Sequence, residues 1–488
     1  MERTREFKRE LRLLDSTMIV IGSMIGSGIF IVSADIARTV GGPGWLLMSW
    51  LIAGVVTVIG ALSYGELAGM LPRAGGQYVY LREAYNPLVA FLYGWTLFMV
   101  IQTGTIAAVA VAFAKFTAVL FPTLGESVVL LDAGLFKVTA ARVVAMLSIL
   151  LLTWVNVRGL HVGKLVQDVF TIAKTAALLG LIVLGIAIGR NAPAIAANLG
   201  DFWHASWTRV TAGGGLSVEP LAGLALLGAL GASLVGSLFA SDAWNNITFT
   251  AGEVVQPKRT IPLSLVLGTG TVTVLYLLAN LAYIAVLPVQ GTPGAADVLG
   301  RGIQFADSDR VAVAAAITAF GAPAAAIMAA LIMVSTFGCN NGLILAGARV
   351  YYAMARDRLF FRRAGELNAK SVPGVALAVQ AVWASLLCLT GTYGNLLDYV
   401  IFAVLIFYIL TVTGIFVLRR TRPDAERPYR AWGYPVVPGL YVLAAAAISL
   451  DLLITKPLYT WPGLGIVLLG IPVYLVWTRM RKADAAPI

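Results

Sequence analysis

Little in this chain is charged. Asp, Glu, Lys and Arg make up 12% of its 488 residues, about half the share usual in soluble proteins, and the mean hydropathy is +0.86. A soluble globular domain is excluded. Cysteine is nearly absent: Cys339 and Cys388 are the only two and both fall in apolar stretches, which argues against a disulfide framework or a zinc site. The two histidines, His161 and His204, lie in or near loops without metal-ligand spacing. Enzymatic chemistry therefore has no support, and no cofactor or metal is expected. The charged start MERTREFKRELR lacks the apolar core and small-residue cleavage site of a removable signal, so the first apolar run is expected to stay in place. No polar segment much longer than about 30 residues separates the apolar runs, which leaves little room for a signalling domain.

Long apolar runs are what the chain has in abundance. Taking roughly 20 apolar residues as one membrane crossing gives twelve spans, at about 15–40, 45–70, 87–121, 139–157, 166–188, 220–251, 262–287, 312–354, 372–390, 397–418, 436–453 and 461–477. The chain reads as one all-α, multi-pass membrane domain, 1–488, with the lipid bilayer as its first partner. Placing the N-terminus inside assigns 25 of the 35 lysines and arginines to the cytoplasmic side and 8 to the other, with Lys115 and Lys174 inside spans. That asymmetry is the positive-inside signature, so both termini are expected to face the cytoplasm, and the net charge of +11 needs no nucleic acid to explain it.

Two spans break the apolar pattern. In the first, Ile21-Gly22-Ser23-Met24-Ile25-Gly26-Ser27-Gly28-Ile29-Phe30 sets three glycines and two serines in seven residues, where each glycine costs about 1 kcal/mol relative to alanine in a helix. The helix is predicted to unwind at Gly26 to Gly28. In the sixth, Gly236-Ser237-Leu238-Phe239-Ala240-Ser241-Asp242-Ala243-Trp244-Asn245-Asn246-Ile247-Thr248 brings together residues that prefer to bond nearby backbone over sustaining a helix. A second break is the economical reading, and an intact helix with one polar face is the alternative. Unwound backbone at membrane depth is tolerated only where it lines protein or a wet cavity. Breaks at corresponding places in two five-span halves point to an inverted repeat with a binding site at the midplane, here 1–190 and 220–420, with two appended helices in 433–479.

The other polar residues in the spans are candidates of lower rank. Glu66, before the glycine-rich loop Leu71-Pro72-Arg73-Ala74-Gly75-Gly76-Gln77-Tyr78, can gate by pairing with an inner arginine or can be a structural carboxylate. Gln102 can touch substrate or bond only a neighbouring helix. Lys115 is expected to snorkel to the outer surface. Lys174 sits two turns, about 11 Å, from the inner end of the fifth span, a long reach to the surface, and is a functional candidate for that reason. Ser335 and Thr336 of the eighth span are hydroxyl groups at a depth where Lys174 needs partners. Glu253, in the charged loop before Pro262, is a gating candidate.

These runs are familiar together. Gly26-Ser27-Gly28-Ile29-Phe30, the loop from Pro72 to Tyr78, the segment from Phe239 to Asn245 and that from Glu253 to Pro262 resemble the amino acid–polyamine–organocation superfamily, with a closer likeness to its L-amino-acid transporter branch and bacterial exchangers. The resemblance implies a LeuT-like 5+5 inverted repeat with discontinuous first and sixth helices. It implies that amides of Ser27, Gly28 and Ile29 hold the substrate carboxylate, and that carbonyls of Met24, Phe239, Ala240 and Asp242 hold its ammonium. Ile25 and Gly26 belong to the same stretch. Phe239 resembles the family's aromatic lid, Asn245 its helix-break polar residue, and Lys174 the lysine that stands where sodium-coupled relatives keep a cation. Two departures stand out: Ser241-Asp242 replaces the tyrosine and glycine of several members, and the loop 122–138 has no cysteine to tether an ancillary glycoprotein.

The resulting expectation is an inner-membrane transporter of L-amino acids, neutral ones first, working by alternating access as an exchanger or proton symporter. Asp242 keeps a cationic amino acid or polyamine substrate open. A receptor that binds an amino acid without moving it is the rival of another class, and a channel is disfavoured because nothing resembles a selectivity filter.

Overall fold

The computed structural model describes residues 7–132, 137–211, 215–390 and 393–483. Arg3 and Arg5 of the basic N-terminal segment, and part of the loop between the third and fourth spans, lie outside the described residues.

Among these residues eleven helices are long and apolar enough to cross a membrane. The first span is the broken Leu13–Met24, Gly28–Ile31 and Ser33–Val40, followed by Pro43–Met70 as the second. The third runs from Pro87 to Leu120, the fourth is Ala140–Val157 and the fifth Leu160–Ala187. The sixth is Gly223–Ala240 with a short continuation, Asn246–Phe249, and the seventh is Pro257–Val286. The eighth to twelfth are Ala324–Arg356, Gly374–Leu387, Tyr393–Thr421, Val436–Thr455 and Pro457–Ala483. All twelve expected helices are present, but the ninth has only 14 residues, about 21 Å, against a hydrocarbon core of about 30 Å.

The eighth span departs from expectation. The apolar run at 312–354 is two helices, Val311–Phe320 and Ala324–Arg356, because Gly321 takes a left-handed φ of +82° and Pro323 has no amide with which to continue the first. Two short antiparallel hairpins, Val129–Asp132 with Lys137–Thr139 and Ser206–Val210 with Leu216–Pro220, sit in loops and leave the all-α character of the spans intact. The third span holds a π turn at Leu97–Ile101, whose wider winding leaves carbonyls out of the ladder. Thr103 Oγ1 takes that of Phe98 at 2.6 Å and Trp383 Nε1 that of Met99 at 3.0 Å.

Helix neighbours repeat with a step of five. The first span packs on the seventh as the sixth packs on the second, the fifth meets the seventh as the tenth meets the second, and the fifth meets the eighth as the tenth meets the third. A packing pattern that maps onto itself under this shift is what two five-helix halves of opposite orientation produce. The eleventh span lies against the second, sixth and tenth, and the twelfth against the third and tenth, as appendages.

Candidate functional site

A helix that unwinds in a membrane strands its carbonyls, and each one left bare there costs several kcal/mol. At the first break the helix stops at Met24 and resumes at Gly28. Every carbonyl from Gly22 to Gly26 accepts a hydrogen bond from a side chain of another span. The ammonium of Lys174, fully buried, donates to Gly22 O at 2.5 Å and Ile25 O at 2.7 Å, and lies 3.5 Å from the carbonyl of Ser335. Cys339 Sγ donates to Ser23 O at 3.1 Å, Tyr276 Oη to Met24 O at 2.9 Å and Ser335 Oγ to Gly26 O at 3.1 Å. Side chains of the fifth, seventh and eighth spans thus replace the lost ladder. On the far side of the break, Gly28 and Ile29 open the next helix, so their amides have no acceptor within it and carry the positive end of its dipole.

The second break is built differently. The sixth helix ends at Ala240 and restarts at Asn246, with Ala243 held at φ +64°, a left-handed conformation that a side chain resists. Here the break's own side chains find the partners. Asp242 Oδ1 accepts from Tyr408 Oη of the tenth span at 2.6 Å, and Asn245 Nδ2 donates to Gln77 Oε1 at 2.9 Å. Gln77 Nε2 in turn donates to Thr411 Oγ1 at 3.0 Å.

The two breaks touch. Tyr276 Oη lies 2.9 Å from Met24 O and 3.0 Å from Ala240 O, so one hydroxyl links the carbonyl ends of both. Opposite it, Gly28 faces Ala240 so closely that a Cβ built on the glycine would come 2.5 Å from the alanine Cβ. Only glycine allows that approach. A cavity of about 20 Å³ lies beside the second break, lined among others by Gln102, Asp242, Asn245, Asn246, Tyr93 and Tyr408. It has room for about one water, not for an amino acid. A second of the same size lies across the Asp242–Tyr408 pair, toward Thr57, Trp244 and Tyr441. Neither of these two cavities is lined by Met24, Ile25, Gly26, Ser27, Gly28, Ile29 or Phe239, all of which are buried.

The remaining candidates separate clearly. Gln102 both lines the cavity and donates to Leu343 O of the eighth span at 2.8 Å. Thr336 does not serve Lys174: its hydroxyl bonds Ile332 O at 2.9 Å, one turn back on its own helix, and Ser335 offers Lys174 its carbonyl while its hydroxyl goes to Gly26. Glu66 is buried and accepts from the half-buried Arg419 at 2.9 and 2.6 Å and from the amide of Ala431 at 2.7 Å, which pins the second span to the tenth and its following loop. Glu253 pairs with Arg349 at 2.9 and 3.2 Å, both 1% exposed, while its carbonyl accepts from the amides of Glu10 and Leu11. That cluster ties the segment before the seventh span to the eighth span and to the N-terminal segment. Lys115 is half-buried near the opposite face. Sequence reasoning missed Tyr276, Cys339, Tyr408 and Gln77. A tyrosine in an apolar span reads as packing, and only proximity to two breaks distinguishes this one.

A family model described as "Amino acid permease" matches residues 11–476. The chain belongs to the amino acid permease family. The "Large neutral amino acids transporter small subunit 2" of Mus musculus is 31% identical over 480 residues, covering 97% of this chain and 82% of the relative, and that of Homo sapiens matches equally. The "b(0,+)-type amino acid transporter 1" of Homo sapiens is 28% identical over 492 residues, the whole of this permease and 91% of the relative. The resemblance to the amino acid–polyamine–organocation superfamily and its L-amino-acid transporter branch therefore holds. This permease is a multi-pass membrane transporter of amino acids, and its family is not one of enzymes.

Proposed function

We propose that this permease moves L-amino acids, neutral ones first, by alternating access between the two broken spans. The observation that carries the proposal is the meeting of the breaks at Gly28, Ala240 and Tyr276, which sets helix-opening amides on one side and helix-closing carbonyls on the other. A zwitterion entering between them places its carboxylate on the amides of Ser27, Gly28 and Ile29. Its ammonium goes to the carbonyls of Met24, Phe239, Ala240 and Asp242. Ile25 and Gly26, tied down by Lys174 and Ser335, keep that cradle in shape. Asn245 and Gln102 border the side-chain end. Opening separates Gly28 from Ala240, and the Glu253–Arg349 and Glu66–Arg419 pairs hold the N-terminal face shut, a face that the lysine and arginine asymmetry assigns to the cytoplasm.

The fixed ammonium of Lys174 fills the place of a coupling cation, so the driving force is exchange or protons and not sodium. The mouse relative is named a small subunit, but the loop 122–138 here has no cysteine for a disulfide tether. This permease therefore works in the cell membrane without a disulfide-linked ancillary subunit. A second reading, cationic amino acids or polyamines, is favoured by one observation, the Asp242 carboxylate between the two small cavities.

Purified protein in liposomes decides among these. Uptake of radiolabelled leucine, with and without preloaded amino acid and at two pH values, is expected to be competed by alanine and not by putrescine, and to ignore sodium. Competition by arginine and putrescine alone moves the assignment to the second reading, and saturable binding without flux would revive a receptor and sink transport.

A further inference from the structure

Away from the breaks, a cavity of about 350 Å³ opens between the third, ninth, tenth and twelfth spans. Its floor is Val100, Gly104 and Val400, all buried, and its rim includes the exposed Thr390 and Pro462. Local causes make it. The ninth helix stops after 14 residues, and Gly104 lets Val400 pack close, its Cγ2 3.0 Å from where a Cβ would stand, so no side chain projects from that position into the cavity. Tyr399 and Tyr459 meet edge to face at 5.4 Å and wall one end.

The cavity backs onto the candidate site through two helices. Leu97, Ile101 and Gln102 of the third span and Val404 and Tyr408 of the tenth line the small cavity at the second break. Their neighbours Val100, Gly104 and Val400 line this one.

We propose that this cavity binds one acyl chain of a membrane phospholipid, and that its occupancy sets how readily the tenth span moves against the substrate site; the second half rests on the transport reading given above. An apolar void forfeits the dispersion contacts of its lining, and one of about 150 Å³ already takes up benzene. At this depth the bilayer is the source of apolar ligand, and only 22% of the twelfth span is buried, so the rim opens toward lipid. Next in sequence to the wall residue Tyr399, Asp398 of the tenth span pairs with Lys456, which precedes the twelfth, at 2.7 Å, so both signs of charge stand near that end. A zwitterionic headgroup complements such a pair, and a sterol with its single hydroxyl does not.

The test uses the full chain in lipid nanodiscs doped with phosphatidylethanolamine carrying a mid-chain diazirine, with a diazirine sterol as a parallel arm. Irradiation is expected to label peptides containing Trp383 or Tyr459 with the phospholipid probe, and Val400→Phe and Ile466→Trp, which fill the space from opposite sides, are expected to cut that label at least about fivefold. Ile466 is half-exposed, where Val400 is buried, so enlarging it is expected to disturb folding less and keeps the test open if the first variant fails to assemble. Label unchanged in a folded filled variant, or label from the sterol alone, overturns the site whatever the protein transports. In liposomes, leucine uptake by the wild type is expected to vary with acyl-chain saturation and uptake by the filled variants not to vary. Equal dependence in both refutes the coupling while the labelling result stands by itself.

Discussion

The two breaks solve one physical problem in opposite ways. At the first, bare carbonyls are covered by side chains that come from elsewhere, Lys174, Cys339, Tyr276 and Ser335, and it is the break's backbone that they hold. At the second, Asp242 and Asn245 reach out to Tyr408 and Gln77, and cavities lie on either side of the carboxylate. A site that must accept many amino acids needs one fixed part for the atoms all of them share and one variable part for the side chain. On the proposed reading the first break is the fixed part and the second the variable one.

Removing Lys174 breaks that comparison most severely. Its ammonium makes two charge-assisted bonds to the first break, each worth about 1.5–3 kcal/mol, so Lys174→Met is expected to lower leucine uptake by roughly a hundredfold or more while leaving membrane insertion intact. Initial-rate uptake at equal protein in liposomes measures it. Uptake within twofold of wild type means that the first break holds its shape without the lysine.

The meeting of the breaks comes next. Gly28→Ala puts a methyl 2.5 Å from the Ala240 Cβ and 2.9 Å from its Cα, and overpacking of this kind costs about 1–3 kcal/mol. Uptake is expected to fall roughly tenfold to a hundredfold. Adding Ala240→Gly removes the clash between methyls but leaves the new methyl pressed against the backbone of the sixth span, so recovery in the double variant is expected to be partial. Two single effects that simply multiply would show that the residues do not meet in the working cycle. Tyr276→Phe has a smaller expected effect, since a neutral hydrogen bond is worth about 1 kcal/mol, which is roughly fivefold in uptake. Its loss in a Lys174→Met background tests whether the hydroxyl belongs to the first break, the second, or both.

The spans, the two interruptions and the buried lysine were legible because each violates a simple expectation: glycine and serine where a membrane helix wants leucine, and an ammonium two turns from water. The partners were not. Tyr276 and Cys339 look like ordinary apolar filling until the fold sets them against particular carbonyls. Thr336 and Ser335 are adjacent hydroxyl residues that no pattern distinguishes, yet one turns back on its own helix and the other crosses to Gly26. The split at Gly321 and Pro323 was missed because apolar residues continue on both sides, and a long run conceals a corner that two backbone-restricting residues impose.

The smallest expected effect is also the most discriminating. Asp242→Asn keeps an acceptor for Tyr408 and removes only the charge. If the second break reads side chains and the first reads the shared carboxylate and ammonium, leucine uptake by this variant stays within about twofold of wild type, because the Ala240 and Phe239 carbonyls and the Gly28 and Ile29 amides are untouched. Arginine competition against labelled leucine is then the sensitive readout. A carboxylate that faces a guanidinium contributes about 1.5–3 kcal/mol, so where cationic substrates use it the half-inhibiting arginine concentration rises roughly tenfold or more. Where they do not, arginine competes equally poorly before and after, and the carboxylate serves to seat Tyr408. A collapse of leucine uptake, by contrast, removes the division of labour altogether, since the charge would then act on atoms that every substrate carries.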